Sequence, residues 1–136
     1  HFPCKQFENT NNEASNFIDV GALNWRDSAY IPASFSNYGK KTVDVFAPGL
    51  EIYNTVPQSA YMNLQGTSMA APMVAGAAAM LKSYFPSLSM WEIKTILLET
   101  ATVYTGFDFP SKSVTGGIVN LKAAVKACDK AFKSRN

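Results

Sequence analysis

The segment from Met69 to Leu81 carries no charged residue and is rich in alanine and glycine. Short strand-like runs and turns precede this segment, and helical patterns follow it. A helix that is apolar on every side is usually buried, and small side chains let neighbouring strands approach it closely. We therefore expect a buried helix beside a sheet, which predicts an α/β fold with a mostly parallel sheet.

Ser68 stands where extended chain gives way to this helix, and Gly66 precedes it by two residues. Glycine permits a turn there without a side chain that blocks approach. The first N–H groups of a helix have no intrahelical partner, and the helix dipole adds partial positive charge at the same end. An oxyanion that develops beside Ser68 would be stabilised. The alternative is that Ser68 or Thr67 is only a helix cap, a common role for serine and threonine.

Residues 66–76 read GTSMAAPMVAG. This string resembles the nucleophile signature of the subtilisin-like serine proteases, the subtilases, and it is far more restrictive than a short nucleophile elbow. The resemblance implies that Ser68 is the catalytic nucleophile and that Thr67 supports the oxyanion site. One position departs from the pattern, because Met73 stands where most relatives carry a histidine. That histidine is not a member of the catalytic triad.

Further segments extend the resemblance over nearly the whole chain. Residues 33–39 (ASFSNYG) and 43–49 (VDVFAPG) are similar to the order that leads to the serine in subtilases, and residues 116–120 (GGIVN) are similar to a later element. The match concerns only the C-terminal part of a subtilase catalytic domain. It implies that residues 1–136 are one incomplete domain of a three-layer α/β/α fold, outside the cytoplasm, although no signal sequence is found in this segment.

A serine hydroxyl needs a base, usually a histidine that a carboxylate orients. The single histidine, His1, lacks the family context, and so do Asp19, Asp27 and Asp44. The family's aspartate, histidine and oxyanion-hole asparagine are expected upstream of this segment. We therefore expect the 136-residue chain alone to be inactive.

Two hypotheses remain at this point. The chain is a segment of a serine endopeptidase that cleaves peptides or proteins through an acyl-enzyme, or it is a non-catalytic subtilase relative that serves as a scaffold or binding domain. An upstream Asp-Thr/Ser-Gly, His-Gly-Thr-His and oxyanion asparagine would favour the protease.

Composition limits the classes of molecule that the chain could bind. The hydrophobic fraction of 47% supports a packed core, and the net charge of +2 without a basic stripe indicates no nucleic-acid partner. The apolar run is too short to span a bilayer. No metal cluster or cofactor motif is found, and the calcium sites known across the family cannot be assigned to residues here. Cys4 and Cys128 either pair or remain buried free thiols.

Local signals predict the remaining elements. Strands are expected at residues 17–22, 42–47, 51–55 and 61–64. Ser89 and Glu92 form the pattern of a capping box, and Leu88 with Ile93 forms that of a hydrophobic staple. Asn120 is expected to cap a last helix whose lysines face solvent. Because the apolar helix would lack cover, we expect the isolated chain to self-associate or to rearrange so that the helix is buried.

Overall fold

The structure is a computed structural model, and it describes residue 5 and residues 12–26, 31–105 and 109–133. In chain order the elements are β1 (Val20–Asn24), β2 (Ile31–Pro32), β3 (Val45–Pro48), β4 (Ile52–Val56), β5 (Ala60–Leu64), α1 (Thr67–Tyr84), α2 (Met90–Glu99), β6 (Thr102–Val103), α3 (Phe109–Lys112), β7 (Gly117–Ile118) and α4 (Leu121–Lys133).

The main sheet has the strand order β2-β1-β3-β7-β6. Its central strands β1, β3 and β7 are parallel, and the outer pairs β1–β2 and β6–β7 are antiparallel. Strands β4 and β5 form a separate antiparallel hairpin that leads into α1. The predicted α/β fold with a mostly parallel sheet is confirmed.

Strand side chains alternate between two cores, as the period of two requires. Ala22, Val45 and Ala47 face α1 and pack with Ala70 and Val74. On the opposite face of the sheet, Leu23, Val43 and Phe46 form a smaller cluster. A third cluster joins α1 to the later helices and contains Ala77, Leu81, Leu88, Ile93, Leu97, Ala124 and Cys128. The first of these clusters holds α1 against the sheet, and the third holds it against α2 and α4.

The first two predicted strands begin later than expected. Residues 17–22 were expected as a strand, but β1 begins at Val20. The Phe17 carbonyl accepts a hydrogen bond from the Lys94 side chain, and backbone pairing toward β3 begins only at the Asp19 carbonyl, which accepts the Asp44 N–H. In the second case Thr42 and Val43 donate their N–H groups to the Gly39 carbonyl, so they belong to a turn before β3.

The expectation that α1 is buried on every side is wrong for the part of the chain that the structure describes. Its buried residues are Ala70, Val74, Ala77 and Leu81, which form one stripe against the sheet and the other helices. The opposite side is exposed and mostly apolar, and it includes Ala71, Met73, Ala75, Gly76, Ala79 and Met80. The predicted rearrangement that would bury this side within the chain is not seen among the described residues.

The local helix signals are confirmed. Ser89 and Glu92 make both hydrogen bonds of the capping box at the start of α2. Leu88 and Ile93 are buried in the same cluster, as the staple requires. The Asn120 side chain accepts a hydrogen bond from the Ala123 N–H at the start of α4.

Candidate active site

A glycine turn joins the β4–β5 hairpin to α1. Gly66 is the residue that precedes the helix, and its φ of 146° lies in a region that favours glycine. Its carbonyl accepts the Met69 and Ala70 N–H groups at 3.0 and 3.3 Å. This leaves Thr67 and Ser68 as the residues whose N–H groups the first turn of the helix does not use.

Ser68 is the second residue of α1, and it is exposed. The residue in the capping position is Gly66, and the helix has no side-chain cap. Within the described part of the chain, the Ser68 hydroxyl makes no hydrogen bond. The alternative that Thr67 or Ser68 is only a helix cap therefore finds no support in the geometry, and the exposed hydroxyl stands beside helix N–H groups that could stabilise an oxyanion.

Gly49 connects this turn to the sheet. Its N–H donates to the Leu23 carbonyl at 3.1 Å, and its carbonyl accepts from the Gly66 N–H at 2.8 Å. A Cβ on Gly49 would lie 2.5 Å from the Ala22 Cβ and 2.8 Å from the Gly66 carbonyl oxygen. Only glycine fits this contact without a shift, so the end of β1 is linked through Gly49 to the turn that carries Ser68.

A cleft of about 160 Å³ reaches this turn. Gln65, which immediately precedes Gly66, lies on one wall, and the β3–β4 connection contributes Leu50. The other lining residues are Asn24, Pro32, Ala33, Ser34 and Phe35. The sequence analysis did not identify this cleft, because its walls come from four separate parts of the chain.

The structure places none of the other candidate triad residues that it describes beside Ser68. His1 and Asp27 lie outside the described residues. Asp19 and Asp44 precede β1 and β3, whereas Gly49 follows β3, so these two carboxylates lie at the opposite end of the strands. They are structural groups rather than candidates for the triad.

Lys5 holds both of these carboxylates. Its Nζ lies 3.0 Å from Asp44 Oδ1 and 3.9 Å from Asp19 Oδ2, and Asp44 Oδ2 accepts the Asp19 N–H at 2.9 Å. Burial raises the pKa of the Asp19 carboxyl, and the nearby Asp44 charge raises it further, while Lys5 and Lys94 act in the opposite direction. The cluster links Lys5 to the residues that immediately precede β1 and β3.

Among the described residues, no group of three or more His, Cys, Asp or Glu side chains could hold a metal ion. Cys128 is a buried free thiol whose pKa is raised by burial, and Cys4 lies outside the described residues. No helix in the described ranges has both the length and the hydropathy to cross a membrane.

Comparisons with known proteins cover most of the chain. Residues 3–128 match the subtilase family, Peptidase_S8. The chain is 41% identical to Subtilisin DY of Bacillus licheniformis over 109 residues, which are 80% of this chain and 37% of that protein. It is 42% identical to Subtilisin Savinase of Lederbergia lenta over 113 residues, which are 82% of this chain and 39% of that protein.

Solved structures show the same relationship. The chain superimposes on the subtilase cytotoxin SubAB with a TM-score of 0.77 at 29% identity, covering 86% of this chain and 38% of that chain. Fervidolysin from Fervidobacterium pennivorans, a keratinolytic enzyme, gives a TM-score of 0.69 at 30% identity, and the match covers 82% of this chain and 19% of fervidolysin. The chain thus spans less than two fifths of the length of these relatives. By sequence and by fold, it belongs to the subtilase family of subtilisin-like serine proteases.

Proposed function

We propose that residues 1–136 are the nucleophile-bearing C-terminal segment of a subtilase catalytic domain, and that Ser68 is acylated during peptide-bond hydrolysis. The observation that carries the proposal is the exposed Ser68 hydroxyl at the start of α1, two residues after the Gly66 turn. Membership of a serine protease family supports this assignment.

In this proposal, a histidine that a carboxylate orients takes the Ser68 proton, and both groups come from the remainder of the domain. Ser68 Oγ attacks the peptide carbonyl carbon, and the negative charge passes to the carbonyl oxygen. The Ser68 N–H and the helix dipole stabilise this oxyanion, and Thr67 helps to define its position. The amine leaves with the proton from the histidine, and water then hydrolyses the acyl-enzyme.

The substrate class in this proposal is a peptide or protein. The cleft that ends at Gln65 opens beside the Ser68 turn and presents both apolar and polar lining groups, so it suits a segment of an extended peptide. The family resemblance further supports a site of action outside the cytoplasm.

A fluorophosphonate probe tests the assignment in the full-length protein. We expect the wild-type protein and the Ser83→Ala variant to be labelled, because Ser83 lies exposed near the other end of α1. Ser68→Ala should abolish labelling and peptidase activity. Loss of the nucleophile lowers kcat about 2 × 10⁶-fold in subtilisin itself, and we expect a comparable loss here.

Labelling that survives Ser68→Ala would refute the nucleophile assignment. A full-length wild-type protein that is not labelled at all would favour the alternative, a non-catalytic subtilase relative that serves as a scaffold or binding domain. The departure at Met73 from the family pattern is the observation that keeps this alternative open.

A further inference from the structure

The connection between β3 and β4 is fastened to the end of β1 by two side chains. Trp25 Nε1 donates a hydrogen bond to the Leu50 carbonyl at 2.6 Å. The next residue, Arg26, forms an ion pair with Glu51. Consecutive residues after β1 thus hold consecutive residues after Gly49. We call these four residues, Trp25, Arg26, Leu50 and Glu51, the brace.

Glu51 has a φ of 52°, a left-handed conformation that is unfavourable for a residue with a side chain. Glycine would adopt this conformation without the steric cost. Its ion pair with Arg26 is largely exposed, with side-chain exposures of 33% for Glu51 and 55% for Arg26. Such pairs contribute little to global stability. Stability alone therefore gives no reason for a glutamate here in place of a glycine.

The brace lies next to Gly49, which is hydrogen-bonded to the turn before Ser68. Leu50 directly follows Gly49, whose carbonyl accepts the Gly66 N–H at 2.8 Å. The Gly66 carbonyl in turn accepts the Met69 and Ala70 N–H groups in the first turn of α1. A shift of the Leu50–Glu51 peptide would move the Gly49 carbonyl, and with it the turn on which Ser68 depends.

We propose that Trp25, Arg26 and Glu51 are positioning residues that fix the Gly49–Gly66 hydrogen bond and thereby set the place of Ser68 at the start of α1. The inference rests on the proposed function of Ser68. Trp25, Arg26 and Glu51 do not line the cleft, and none of them bonds to Ser68, so they act through Gly49 and Gly66. Leu50 does line the cleft, and it contributes only its backbone carbonyl to the brace.

Variants of the full-length protein separate positioning from stability. Glu51→Gly removes the ion pair and relieves the backbone at the same time, so the melting temperature should be unchanged or higher. We nevertheless expect the Gly66 amide to exchange with solvent faster, and the fluorophosphonate to react more slowly with Ser68, each by about 3- to 10-fold. This is less than the ~10²-fold that a 1 Å misplacement can cause. Trp25→Phe, which keeps a ring but loses the N–H donor, should also speed exchange of the Gly66 amide and slow labelling of Ser68.

Two further variants complete the experiment. The double variant Arg26→Glu with Glu51→Arg restores an ion pair of reversed sign and should recover much of the labelling rate. Lys133→Gln removes a comparable exposed ion pair, with Asp129 in α4, and should change neither readout.

The two proposals fail in different ways. If Glu51→Gly and Trp25→Phe leave Gly66 exchange and Ser68 labelling at wild-type values, the brace has no positioning role. A wild-type protein that is never labelled would overturn the function proposed for Ser68. In that case the Gly66 exchange rate still decides whether the brace holds the turn.

Discussion

At the residue scale, Gly49 and Gly66 are needed for different physical reasons. Gly66 adopts a φ of 146°, which most residues avoid, whereas at Gly49 the obstacle is space. Any side chain on Gly49 would meet Ala22 and the Gly66 carbonyl. The pattern of residues 66–76 predicts a glycine at position 66. It does not predict the contact between Gly49 and Gly66, because the two residues are brought together only by the hairpin between them.

Gly49→Ala should destabilise the protein by about 1–3 kcal/mol, because the added methyl group overpacks a closed contact. Urea unfolding measures the change. Ser83→Ala, at an exposed position near the end of α1, is the control and should change stability by no more than ~0.5 kcal/mol. Equal effects at both positions would contradict the packing argument.

Met69 should be a site of oxidative inactivation. It directly follows Ser68, and a Cβ placed on Gly66 would lie 3.7 Å from its sulfur, so the thioether lies against the Gly66 turn. A sulfoxide would put a larger polar group there. Peroxide should slow the full-length enzyme, and Met69→Ala or Met69→Ser should resist it. Met80→Leu, farther along α1, should give no protection. Equal sensitivity of the Met69 variants would identify another target.

At the scale of elements, the starts of α2 and α4 were predictable from sequence, whereas the limits of β1 and β3 were not. The hairpin strands, expected at residues 51–55 and 61–64, lie within one residue of β4 and β5. The signals at Ser89 and Asn120 are local, since each cap bonds to a backbone N–H three residues later. Strand limits depend on partners that are distant in sequence. The two-residue strands β2, β6 and β7 exist only through pairing with neighbouring strands, so local patterns indicate them weakly.

The capping box of α2 gives a test at this scale. Ser89→Ala removes the acceptor of the Glu92 N–H and one partner of the Glu92 carboxylate, so it should destabilise the protein by about 1 kcal/mol. Ser83→Ala, an exposed serine in α1, is the control and should change stability by no more than ~0.5 kcal/mol. Urea unfolding of both variants measures the difference. A Ser89→Ala variant as stable as the control would show that the cap contributes nothing measurable.

At the scale of the whole molecule, α1 exposes an apolar side that a helix in a complete domain would normally bury. The sequence predicted an apolar helix, and the structure shows that the described residues cover only the stripe formed by Ala70, Val74, Ala77 and Leu81. The burial of a helix depends on the elements that pack against each of its sides, and the sequence of the helix alone does not specify those elements. The chain spans 37% of Subtilisin DY and 39% of Subtilisin Savinase, and our proposal that it is part of a larger domain would have other parts of that domain cover this side of α1.

We predict that the 136-residue chain alone has no peptidase activity and self-associates. The described residues bring no histidine to Ser68, and the two candidate carboxylates that the structure describes, Asp19 and Asp44, lie at the far end of the strands. The uncharged exposed side of α1, with Ala75, Ala79 and Met80, would be removed from water by a second copy. Sedimentation should therefore show species larger than a monomer.

A charge placed on that side of α1 should oppose the association. Ala79→Lys should shift the sedimenting species toward the monomer, because burial of an unpaired charge is costly. Lys122→Gln, on the solvated side of α4, should leave the distribution unchanged. A stable, well-folded wild-type monomer would remove the claim of self-association. Hydrolysis of a peptide by the purified chain, lost on Ser68→Ala, would instead overturn the claim of inactivity, and it would require a base that this segment itself supplies.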